Sequence, residues 1–185
     1  MKKQLFKKGK LFQLKMFLVR NRAEFLKKSG IFHDFGDAVL WQPYTIPSEP
    51  YLVSIGNNVK ITAGVRFITH DISPAVFGYA GYPTDKKCLY YMDKIVIGNN
   101  VMIGADSIIL PGVTIGNNVI VGAGSVVTKN IDDGVVVAGN PAKVIGSFDK
   151  IAEKRYSQCL NRPYHLSSKK EINKFFGKSK SLIND

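Results

Sequence analysis

From Ile55 onward an apolar side chain returns at every sixth position. The first members of successive hexads are Ile55, Ile61 and Phe67, then, after an interruption, Tyr91, Ile97, Ile103, Ile109, Ile115, Val121 and Val127. All ten are apolar or aromatic and eight are Ile or Val, although Ile, Leu and Val together make up about a quarter of the 185 residues. A period of six is neither that of an amphipathic helix nor that of an alternating strand. It suits short strands joined by tight bends. Fifth positions are mostly apolar too (Val59, Val65, Ile95, Val101, Val113, Val119), and glycine recurs at the second (Gly56, Gly98, Gly104, Gly116, Gly122). The pairs Asn57-Asn58, Asn99-Asn100 and Asn117-Asn118 fit corners, where positive φ is tolerated. Bends stacked in this way form a β-helix in which each coil bonds only to its neighbours. An ordinary β-sandwich would not hold one register over so many hexads.

The interruption, 73–90, contains Pro74, Gly78, Gly81 and Pro83 with Phe77, Tyr79, Tyr82 and Tyr90. It reads as an excursion loop, and long loops in compact repeats are more often functional than decorative. The ends read as helical. Residues 10–28 set Leu11, Leu14, Leu18 and Phe25 on one side, with Gly30 as a stop. A second helix is expected from Phe148 to Leu160, with Ser147 as cap and Pro163 beyond it, and a weaker one after Ser168. The chain thus divides into a basic helical segment (1–48), a repeat body (49–146) and a second basic helical segment (147–185).

Charge follows the same division. The formal net charge is +12, with +9 on residues 1–30, −3 on 31–149 and +6 on 150–185. Basic ends suit nucleic acid, an anionic membrane surface or an anionic substrate. No zinc-ligand spacing, RNA-binding signature or helix-turn-helix pattern accompanies them, so nucleic acid is not expected. With 45% hydrophobic and 22% charged residues the chain is not of the disordered class. It has no apolar run long enough for an ordinary spanning helix. Two cysteines, Cys88 and Cys159, cannot build a disulfide framework, and the N-terminus lacks the apolar region of a secretory signal. These features point to a cytoplasmic protein, with residues 1–28 as a candidate contact for the inner membrane surface.

Three histidines are present, and His70 alone lies within the repeats, in Phe67-Ile-Thr-His-Asp at the mouth of the excursion. It is fourth in its hexad, whereas the apolar first and fifth positions point inward, so its imidazole is expected to point off the coil. An outward imidazole beside a loop is a candidate general base.

The hexads resemble those of the hexapeptide-repeat acyltransferases. So do the stretches Ile109-Leu-Pro-Gly-Val-Thr-Ile-Gly-Asn-Asn, Val121-Gly-Ala-Gly-Ser-Val-Val-Thr-Lys and Ala138-Gly-Asn-Pro-Ala-Lys-Val-Ile. The resemblance covers about residues 49–146 and is closest to the branch holding sugar O-acetyltransferases and antibiotic acetyltransferases. It implies a left-handed parallel β-helix, acetyl-CoA as donor, no metal, and a homotrimer with sites in the grooves between subunits. It also implies three hexads per coil. On that basis Asp106 is expected above His70 as its orienting partner, with Asp93, Asp34 and Asp37 as rivals. Ala105 and Ala123 match positions that border the pantetheine arm. Thr128, Lys129, Pro141 and Lys143 match the nucleotide end, where lysine offers charge to phosphate. The expected reaction is direct transfer of acetyl from acetyl-CoA to a saccharide hydroxyl, as in surface-polysaccharide synthesis. An antibiotic hydroxyl, an amino-sugar nitrogen and a non-enzymatic β-helix scaffold are the alternatives. A covalent role for Cys88 is not expected, since direct transfer needs none. A γ-type carbonic anhydrase, which shares the fold, needs three metal-binding histidines and is excluded.

Overall fold

The computed structural model describes residues 9–82 and 89–160, together with 170 and 174. Cys88, Pro163, His165 and the helix expected after Ser168 lie outside the described residues. Two compact units are distinguished, Met1–Phe148 and Asp149–Asp185.

The first unit begins with α1 (Gly9–Leu18) and α2 (Arg22–Ser29). The sequence pattern suggests one helix over 10–28, but Asn21 divides it. Its Oδ1 accepts the Glu24 N–H at 3.1 Å, which caps a new helix, and Gly30 ends that helix at φ 60°. The strands follow as β1 (Asp34–Phe35), β2 (Leu40–Trp41), β3 (Val53–Ile55), β4 (Lys60–Ile61), β5 (Arg66–Phe67) and β6 (His70–Asp71). Helix α3 (Ser73–Tyr79) stands in the excursion, which returns through β7 (Tyr91–Met92). Then come β8 (Ile95–Ile97), β9 (Val101–Ile103), β10 (Ile108–Ile109), β11 (Thr114–Ile115), β12 (Val119–Val121), β13 (Val126–Val127), β14 (Val135–Ala138) and β15 (Lys143–Ser147).

These strands wind into a parallel β-helix with three faces. One carries β1-β3-β8-β11, the second β2-β4-β9-β12-β14 and the third β5-β10-β13. Two short strands, β1 and β2, pair in parallel on β3 and β4, so the stack already begins before residue 49. Successive coils lie 18 residues apart, as in the Asn99–Asn117 pair, but 42 apart across the excursion, as in Asn57–Asn99. The difference is four whole hexads, so the chain leaves the stack and rejoins it in phase. The excursion is therefore longer than the 73–90 segment expected from sequence. Tyr91, in phase with the hexads, is not part of a coil. It lies exposed on β7, which pairs antiparallel with β6 at the base of the excursion.

Burial explains the period. Ile61, Ile103, Ile109, Ile115 and Val121 are fully buried, and Val59, Val65, Val101, Val113 and Val119 fill the space between them. Each such side chain contributes about 1.5–3 kcal/mol by leaving water. Ser107 and Ser125 replace apolar residues at fifth positions and are also buried. Both hydroxyls donate to the Gly122 carbonyl, at 3.0 and 2.6 Å, so neither is left unsatisfied. The N-terminal end of the prism is plugged by Phe32 and by Trp41, which stacks on Phe67 at 5.8 Å, with Leu26 and Met16 packed into the same core. At the other end β15 folds back antiparallel on β14.

One corner carries a ladder of amides. Asn57 Oδ1 accepts the Asp37 N–H, Asn99 Oδ1 the Asn57 N–H, and Asn117 Oδ1 the Asn99 N–H, at 2.8–2.9 Å. Asp133 ends the column, its Oδ1 accepting the Asn117 N–H at 2.7 Å and its Oδ2 the Asn117 side-chain amide at 3.2 Å. These bonds hold the Asp133 carboxyl below its usual range. Helix α4 (Phe148–Leu160) follows β15 and lies almost wholly in the second unit.

Candidate active site

His70 sits where the chain leaves the prism, opposite Met92 in the β6–β7 pair. Its Nδ1 is 2.8 Å from Glu49 Oε2. A carboxylate has no proton to give, so Nδ1 carries the hydrogen and Nε2 keeps its lone pair. Glu49 also accepts the hydroxyl of Thr69, which is buried. The carboxylate is thus fixed from two sides, and its own side chain is 18% exposed against 36% for His70. Tyr90 stands edge-on to the imidazole with centroids 5.9 Å apart. The result is an oriented imidazole with one free nitrogen at a surface mouth, a geometry suited to taking a proton.

None of the aspartates considered from sequence fills the position of Glu49. Asp106 stands over Gly64 instead, with its N–H bonded to the Ala63 carbonyl at 3.0 Å. The reason is the length of the excursion. Phe67 pairs with Ile109, and continuing that register by three residues sets Gly112 beside His70. At φ +81° Gly112 adopts a backbone conformation that strains any residue with a side chain, and a Cβ there would stand in tight contact, 3.0 Å from Asp93 Oδ2. Asp93 itself accepts from Tyr91 Oη at 3.0 Å, which raises the tyrosine's pKa, and from the Lys94 N–H. Asp34 is bonded to His33 and Ser54, which lower its pKa, and Asp37 pairs with Lys27. Asp71 turns away to accept both the N–H and the hydroxyl of Ser73, and these bonds lower its pKa. Glu49 escaped the sequence reading because it precedes the hexads. Its one local signal is the Pro47-Ser48-Glu49-Pro50 run, whose Pro50 is buried and opens a 3₁₀ turn.

Ala105 and Ala123 do stack. The Ala105 carbonyl accepts the Gly124 N–H at 2.7 Å, and Ala63 lies one coil before them in the same column. This column runs along the corner between the second and third faces, whereas His70 stands at the far end of the third face. Thr128 and Lys129 are exposed just beyond β13, at the His70 end of that face. Pro141 is exposed in the turn before β15, where the Ala142 N–H bonds the Val126 carbonyl at 2.8 Å, and Lys143 opens β15. One chain therefore presents an imidazole at one corner and a smooth small-residue column at another. Beside Glu49 and Thr69 lies a cleft of 220 Å³ between residues 45–48 and 65–68, with Arg66 on its wall. Among the described residues no group of three or more His, Cys, Asp or Glu could hold a metal ion.

Comparison with known proteins agrees with this architecture. A family model described as bacterial transferase hexapeptide (six repeats) matches residues 94–129. Protein CapG of Staphylococcus aureus is 52% identical over 136 residues, which are 71% of this chain and 75% of that protein. The crystal structure of a maltose O-acetyltransferase from Clostridium difficile 630 superposes with a TM-score of 0.55 at 28% identity, covering 75% of this chain and 83% of that one. A galactoside acetyltransferase in complex with coenzyme A gives a TM-score of 0.55 at 25% identity, covering 86% and 84%.

Proposed function

This chain belongs to the hexapeptide-repeat acyltransferases, and from that premise we propose that it transfers an acetyl group from acetyl-CoA to a hydroxyl of a saccharide. The left-handed winding of the coil comes with the same membership. Sugar O-acetylation is favoured by the maltose and galactoside enzymes among its structural neighbours. The observation that carries the reading is the 2.8 Å contact of His70 with Glu49 at the mouth of the excursion.

The chemistry follows from that contact. The acceptor hydroxyl lies against Nε2 of His70 and attacks the thioester carbonyl. A C–O bond forms, the hydroxyl proton passes to Nε2, and the C–S bond breaks as the tetrahedral intermediate collapses. The imidazolium returns its proton to the departing thiolate. Glu49 keeps Nδ1 protonated throughout and faces the positive charge while it lasts. The acetyl donor lies along the Ala105–Ala123 column, with Thr128, Lys129, Pro141 and Lys143 towards its nucleotide. Because His70 and that column occupy different corners of one prism, the working site is assembled between neighbouring copies in a homotrimer. The protein acts in the cytoplasm, on precursors of surface polysaccharide.

The test is thiol release from acetyl-CoA against a panel of saccharides and hydroxylated antibiotics. With the best acceptor, His70→Ala is expected to lower kcat by about 10²–10⁴-fold. CoA binding and assembly should persist, since the side chain lies outside the core. Near-wild-type kcat would remove His70 from the mechanism. Absence of CoA binding by the intact protein would leave the scaffold alternative.

A further inference from the structure

Helix α1 is apolar on two sides, and the chain covers only one of them. Met16 is fully buried in the core, and Phe12 packs on the Phe25 ring with centroids 4.9 Å apart. On the opposite side Leu11, Leu14, Phe17 and Leu18 are 52%, 55%, 62% and 71% exposed. Positions 11, 14 and 18 recur at three- and four-residue spacing and so share one stripe. A helix apolar all round is normally enclosed on every side. Here the stripe continues onto Tyr44, whose ring lies 5.2 Å from that of Phe17 and is covered by the Arg22 guanidinium at 3.9 Å.

We propose that this face docks on an anionic lipid bilayer, with the leucines and Phe17 in the acyl boundary and the surrounding bases on lipid headgroups. Charge selects this occupant over a second copy of the chain. Residues 1–30 carry +9, and apposing such segments in an oligomer would concentrate like charge, whereas an anionic leaflet neutralises it. Lys15 and Arg20 have no acidic partner among the described residues, so both are available to headgroups. The apolar stripe in turn favours lipid over a soluble polyanion, which would match the charge and leave the leucines in water. No helix among the described residues is long and apolar enough to cross a membrane, so the contact lies in the plane of the interface. It would hold the enzyme beside acceptors carried on lipid and does not depend on the acetyl-transfer reading.

Flotation of the full chain with vesicles of phosphatidylglycerol and phosphatidylethanolamine tests this directly, with pure phosphatidylcholine vesicles as control. Binding is expected to the anionic vesicles at low salt and to fall steeply at high salt. Leu11→Glu with Leu18→Glu should weaken it by about tenfold or more, and Lys15→Glu with Arg20→Glu should weaken it while leaving acetyl transfer to a soluble acceptor unchanged. Equal binding to neutral vesicles, or binding unaffected by the leucine pair, would overturn the proposal. So would a leucine pair that changes the sedimenting species while the intact chain ignores vesicles, since the face would then be a contact between copies.

Discussion

Glu49 and Asp133 illustrate two uses of one carboxylate chemistry. Glu49 holds Nδ1 of His70, the base of the proposed transfer. Glu49→Gln should therefore lower kcat by about 10²-fold, with KM for acetyl-CoA and the thermal midpoint little changed. A parallel fall in midpoint would make Glu49 a packing residue. Asp133 instead closes a column of backbone and amide donors, and those donors hold its carboxyl below the usual range. A carboxyl lowered on folding contributes stability above its unfolded pKa and loses it as pH falls through the folded value. Asp133→Asn should remove that acid-side component. Thermal melts from neutral pH down through the carboxylate range check it: the midpoint of the variant should fall less steeply than that of the parent.

Among the elements, the coils and the presence of an excursion were legible from sequence, and the length of the excursion was not. Hexad phase marks inward positions because a short strand between two bends can bury only alternate residues, so Ile61, Ile103 and Val121 announce themselves. Phase says nothing about how many hexads the chain spends away from the stack. Tyr91 keeps the phase while lying on a hairpin, and that single ambiguity moved the expected partner of His70 from Gly112 to Asp106. Glu49 was hidden for a different reason. It approaches from a segment with no period, and only tertiary folding brings it to His70. The break at Asn21 was legible in principle as a cap followed three residues later by Glu24. At the closing hairpin, Lys143 begins β15 and is exposed. If it faces the 3′-phosphate of the donor, Lys143→Ala should weaken CoA binding more than dephospho-CoA binding by calorimetry. Equal losses would assign this lysine elsewhere.

For the whole molecule, the separation of His70 from the alanine column makes activity, in the proposed mechanism, a property of the homotrimer. Sedimentation should give three times the 20.5 kDa chain mass. Two inactive chains, His70→Ala and Ala123→Trp, should also complement each other when refolded together. Each carries the half that the other lacks, so random mixing restores about a quarter of the inter-subunit sites. No recovery from mixed trimers would place both halves within one chain. The amide ladder runs along the prism from coil to coil. Every asparagine in that column hands a hydrogen to the next coil, so the column has a direction, like a growing polymer. Asp133 differs from its predecessors by an oxygen in place of an amide nitrogen, and it has no side-chain hydrogen to pass on. The side-chain relay therefore ends at Asp133. Asparagine at 133 would restore a side-chain donor for a further coil, whereas aspartate at position 99 would withhold the side-chain hydrogen that Asn117 accepts and leave the backbone N–H of residue 99 as the remaining donor to that oxygen.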